Sequence, residues 1–167
     1  MKKATYFLTF VLMFILVNCN SSYINYAREK SSLLNTPTRV KINGQKYILN
    51  AYASYDFLSS LAYNYRGLGG KIVVRSLDGK PVPKTIEVLK VWVINMDSNA
   101  IWESEMGELN RIMGLCSDTL RLNKVLRNGP NWKVSSEVKI VVELVDTTTN
   151  KIYFLRAAGH NHIDRTY

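Results

Sequence analysis

Histidine is nearly missing from this chain: 167 residues hold two, His160 and His162, both close to the C-terminal end. That scarcity works against a serine–histidine triad or a thiol–imidazole pair. No Gly-x-Ser-x-Gly elbow and no His-Glu-x-x-His helix appears either. Cysteine is equally scarce, with Cys19 and Cys116 alone. Lysine and arginine are plentiful, 22 against 13 acidic residues for a formal charge of +9, yet no run of them exceeds two. A nucleic-acid reader concentrates its cations in a stripe on one element. Scattered cations describe a solvated basic surface suited to an anionic envelope, so nucleic acid is not an expected partner. Internal repeats and low-complexity tracts are absent as well.

Long apolar runs are also missing, with one exception. Behind Met1-Lys2-Lys3 comes "ATYFLTFVLMFILV", residues 4–17, which carries no charge. Fourteen apolar residues fall short of the roughly 20 that span a bilayer. They match the h-region of a secretory signal peptide behind a positive n-region; an uncleaved anchor helix is the alternative.

The run ends in Leu16-Val17-Asn18-Cys19, which resembles the lipobox of bacterial lipoproteins. The resemblance implies cleavage before Cys19 and acylation of its thiol with diacylglycerol and acyl chains. It also implies a membrane anchor, and stable anchoring takes more than one chain. Asn18 departs from the usual Gly, Ala or Ser of that motif. Asn20 is not the aspartate that retains some lipoproteins at the inner membrane, which by analogy favours the outer membrane. On this reading residues 1–18 are the leader, 19–38 a Ser/Asn/Thr-rich tether and 39–167 the domain. The tether's "YAREKSSLL" has the makings of a short helical turn. With Cys19 acylated, Cys116 has no disulfide partner and reads as a small buried hydrophobe, so the fold must hold by packing.

From Arg39 the pattern becomes that of strands. Asn43-Gly44 supplies the positive φ values of a tight hairpin turn. Behind it Tyr47, Leu49, Ala51 and Ala53 alternate with Lys46, Ile48, Asn50 and Tyr52, the period of a two-faced strand. Gly67, Gly69 and Gly70 lack the Gly-Lys-Ser/Thr and the helix of a phosphate loop, and read as a flexible connection. Asp78-Gly79 is a turn, and Pro81 and Pro83 mark a connection between strands. In "TIEVLKVWVIN", Ile86, Val88, Trp92 and Ile94 share one parity and Leu89, Val91 and Val93 the other, as in a central strand apolar on both faces. Val138, Ile140, Val142 and Leu144 alternate with Glu137, Lys139 and Glu143, the clearest half-buried strand. Seven or eight short strands with regular turns predict an all-β, antiparallel β-sandwich. Trp92 in mid-strand and "GPNWKVSSEVKIVVEL" resemble immunoglobulin-like domains across residues 38–158, a fold that implies no particular task.

Three constellations have chemical potential. His160, His162 and Asp164 at spacing two would share a side of an extended segment and could hold Zn²⁺ or Cu²⁺ if another group converged; the alternative is a frayed polar end. Glu103 and Glu105 recur at strand spacing, but an exposed strand end explains them without glycosidase chemistry. Tyr52, Tyr55, Tyr63 and Tyr65, set among Ser and Asn, have the composition of an adaptable binding surface, unless they are core. The sequence thus predicts no catalysis and no resident cofactor. It predicts a lipid-anchored binding or structural domain whose partner is an envelope protein, a glycan or a host macromolecule, with metal or small-ligand binding as the alternative.

Overall fold

The computed structural model describes residues 29–56, 67–105 and 121–166. Residues 29–34 are helical and belong to a first unit that ends at Asn35; Thr36–Tyr167 forms a second compact unit. Within the second, the described residues are all strand and turn: β1 (Val40–Ile42), β2 (Gln45–Asp56), β3 (Leu68–Ser76), β4 (Ile86–Asn95), β5 (Ile101–Glu105), β6 (Arg121–Gly129), β7 (Glu137–Asp146), β8 (Lys151–Arg156) and β9 (Asn161–Thr166). The all-β expectation holds.

The strands run in the order β5-β4-β7-β9-β2-β3-β6, with β1 added to β2 and β8 to β7. Two layers can be separated. The first sheet is β1, β2, β3 and β6; the second is β4, β5, β7 and β8. β9 belongs to both. Its start pairs antiparallel with β7 (Val138↔Asn161) and its remainder runs parallel to β2 (Ala53↔Ile163). The sheet is therefore mixed, not purely antiparallel. At the opposite side the free strands β5 and β6 approach each other, since a Cβ on Gly129 would stand 2.7 Å from the Trp102 ring. The result is nearly a barrel.

Between the layers lies one core. The first sheet gives Tyr47, Leu49, Ala53, Ile72, Val74 and Leu126, and the second gives Val91, Val93, Val138, Ile140, Val142 and Leu144. The β2 and β7 alternations are those read from the sequence. Asn43 (φ 49°) and Gly44 (φ 85°) make the β1–β2 turn. Asn43 Nδ2 donates to Asp146 Oδ2 at 2.9 Å, tying that turn to the end of β7.

Four expectations change. The glycines at 69 and 70 are not a connection but part of β3, opposite Ser54 and Ala53; a Cβ on Gly70 would meet the Tyr52 carbonyl at 2.5 Å, so only glycine lets the strands close here. Arg127–Gly129 extends β6 although Asn128-Gly129-Pro130 is a run of turn-forming residues. In β4 the pairing with β7 shifts register between Val88 and Lys90. That bulge puts Ile86, Val88, Val91 and Val93 in the core and moves Trp92 and Ile94 out of the core cluster. An extra residue flips every side chain beyond it, so Trp92 is buried, at 5% exposure, but on the outer side of the second sheet and not in the cluster between the sheets. Finally, the polar C-terminal stretch is a strand and not a frayed end.

Candidate functional site

Register places the outward side chains of the first sheet in rows. Lys41 lies opposite Lys46. Ile48, Arg75 and Arg121 form the next row, then Asn50, Val73 and Asn123, then Tyr52, Lys71 and Val125. Neighbours within a row are about 4.8 Å apart and successive rows about 7 Å. Lys41, Lys46, Asn50, Arg75 and Arg121 are exposed; Tyr52 keeps 48% of its surface and Leu77, at the end of the face, 43%. None of these rows contains an aspartate or glutamate. Among the described residues no carboxylate forms an ion pair with Lys41, Lys46, Lys71 or Arg75. The bordering acids stand at the corners. Asp164 aligns with Ser54 beyond the Tyr52 row, and Asp78 sits in the turn after β3, 3.3 Å from Lys80. A hydrogen bond from the Ser76 hydroxyl, with help from Lys80, holds Asp78 down at about 2.

The outer face of the second sheet is built oppositely. Lys90 Nζ lies 2.7 Å from Glu103 Oε1, and Trp92 Nε1 donates to Glu103 Oε2 at 2.9 Å. The Trp92 ring packs on Phe154, centroids 6.0 Å apart, and Trp92, Ile94 and Val141 are all buried. Arg156, in the same row as Trp92 and Val141, donates from its backbone N to Pro37 O and from Nε to Thr36 O. The Lys90 hydrogen bond, followed by that from Trp92, lowers the Glu103 pKa. A glycosidase acid needs its pKa raised, so Glu103 is not suited to that role.

The predicted site residues separate. Tyr52 stands on the open cationic face. Tyr55 is core: it is 6% exposed and its hydroxyl donates to Trp132 O at 2.7 Å, with burial raising its pKa. It offers nothing to a partner. Tyr63, Tyr65, Cys19 and Cys116 lie outside the described residues, as does the apolar leader. His160 Nδ1 lies 2.9 Å from Glu137 Oε1, while His162 Nδ1 lies 3.2 Å from Ser135 O and Asp164 is beside Ser54. The three therefore turn to different partners, and among the described residues no three His, Cys, Asp or Glu side chains converge as a metal would require. Lys139 and then His160 hold Glu137 at about 2.

Sequence reasoning missed the rows through Arg75, Lys71 and Arg121. These cations are far apart in the chain and only strand register brings them together; the one available signal was their outward parity. Among the described residues no helix is long and apolar enough to cross a membrane. Comparison with family models, curated proteins and solved structures finds no match for this chain.

Proposed function

We propose that this is an exported envelope protein, held to the membrane by acyl chains on Cys19, whose β domain works by binding a negatively charged partner and performs no catalysis. The observation that carries the reading is the open face of the first sheet, where Lys71 and Arg75 stand among Tyr52, Asn50 and Asn123 with no acid in their rows. A one-signed surface raises the local concentration of a partner of opposite charge and speeds its capture. The leader, the Leu16-Val17-Asn18-Cys19 stretch and the Ser/Asn/Thr-rich tether support the anchor, with the outer membrane favoured over the inner. An immunoglobulin-like sandwich remains the finer fold reading. It is supported by two layers around one core and by the hairpins β1–β2, β4–β5 and β7–β8, although its tryptophan hallmark is not met by Trp92.

Fractionation and protease shaving of cells making wild type and Cys19→Ala test the anchor. Wild type is expected in the membrane fraction and Cys19→Ala in the soluble fraction. Retention of Cys19→Ala in the membrane would replace the lipid anchor with an uncleaved apolar helix. Trimming of wild type on intact cells places the domain outside, and protection places it inside the envelope.

A further inference from the structure

The geometry points to a linear acidic polysaccharide as the ligand of the open face, an inference that rests on the binding function proposed above. Lys71 and Arg75 share β3, four residues apart and so about 13 Å from each other along the strand. Lys46 and Lys41 continue the track one row beyond Arg75. The cations are therefore spread over about 20 Å of the outer face, from Lys71 past Arg75 to the Lys46–Lys41 pair, matching a chain that carries repeated negative groups. A compact anion would want them gathered around one point.

Charge alone would accept any polyanion, and the row between the charged ones narrows the choice. Asn50 and Asn123 flank Val73 there. Each carboxamide offers a carbonyl and an NH₂ group, the pairing that vicinal hydroxyls require. Tyr52 stands beside Lys71, about half exposed. Its electron-rich ring face complements the slightly positive C–H face of a sugar ring, while its hydroxyl remains available at the edge. Cations, amides and an exposed ring on one face correspond to the carboxylate or sulfate, the hydroxyls and the C–H face of an acidic sugar chain.

A lipid surface fits less well. Faces that lie on bilayers push bulky apolar groups past their cations into the acyl region. Here Ile48, Val73 and Val125 are half-buried, the amides occupy the centre, and the exposed apolar side chains, Tyr52 and Leu77, stand at opposite ends of the face.

Affinity electrophoresis of the full chain in mild detergent tests this, through gels containing polygalacturonate, neutral dextran or polyglutamate. Flotation with phosphatidylglycerol vesicles runs alongside. Expected are strong retardation by polygalacturonate, none by dextran and weaker retardation by polyglutamate. Lys71→Glu with Arg75→Glu should abolish binding. Tyr52→Ala should weaken polygalacturonate binding about tenfold and leave polyglutamate unchanged, with melting temperature preserved in both variants. Equal retardation by polyglutamate and polygalacturonate, with Tyr52→Ala silent, would overturn the sugar ligand and leave a face that binds anions. Vesicle binding without polygalacturonate binding would overturn it in favour of the membrane. No retardation in either acidic gel and no flotation would remove the proposed binding function along with the ligand.

Discussion

The two sheets share a core but present opposite outer faces. On the second, Glu103 satisfies both Lys90 and Trp92, Glu137 lies 2.7 Å from Lys139, and Trp92, Ile94 and Val141 are buried. On the first, cations stand in rows without acids, over half-buried β-branched residues. The second face buries Trp92 and pairs Glu103 and Glu137, while Phe154 stays 42% exposed. The first face leaves Tyr52 half exposed and, among the described residues, Lys41, Lys46, Lys71 and Arg75 without a carboxylate partner, which keeps a surface soluble at a small electrostatic cost. The contrast also explains why a net positive composition says little by itself: its meaning depends on which cations find partners.

Replacing the aromatic of each face gives the largest test. Trp92→Ala should cost about 3–5 kcal/mol in urea unfolding, whereas Tyr52→Ala should stay within about 0.5 kcal/mol of wild type. Similar losses from both would end the distinction between the faces. Tyr55→Phe, inside the core, should cost about 1–2 kcal/mol by leaving the Trp132 carbonyl without its donor; a change near zero would put Tyr55 among the contact residues after all.

Acid should act on both sheets, since Asp78 after β3 is held at about 2 as well. Glu103 and Glu137, both of the second sheet, have pKa values depressed in the folded state, Glu137 to about 2. Asp146 is lowered too, first by Asn43 and then by Thr149. Carboxylates with depressed folded pKa values contribute stability that is present above their unfolded values and lost as pH falls through the folded ones. Stability should therefore decline from about pH 4.5 toward pH 2, and Glu137→Gln should flatten that decline. An unchanged profile would mean that these pairs contribute nothing. The smallest effect belongs to Glu103→Gln at neutral pH, below about 1 kcal/mol because the Lys90 pair is substantially exposed.

Much of this architecture is legible in the sequence. β7 is given by strict alternation, β2 by alternation behind the Asn43-Gly44 turn, and β4 by apolar residues on both faces. What escapes is set by contacts across the chain. The bulge at Leu89 reverses the β4 parity without leaving a Gly or Pro marker, and Trp92 changes sides with it. β9 reads Asn161-His162-Ile163-Asp164-Arg165-Thr166, with a single buried apolar side chain, Ile163. Its strand character comes from the two edges that it fills, and no local pattern records that. The candidate face was legible only in fragments: Tyr52 as a tyrosine among polar residues, its cationic neighbours only through their outward parity.

The doubly paired β9 also governs when the domain can exist. β2 is made early, yet the edge beside Ala53 waits for Ile163, roughly a hundred positions downstream, and loop closure over such separations slows folding. Until that stretch arrives, the ends of both β2 and β7 lack their neighbour. Completion is thus deferred until the β9 stretch is available to pair with both. The proposed export requires a polypeptide that stays threadable, and a domain that waits for β9 before closing meets that requirement.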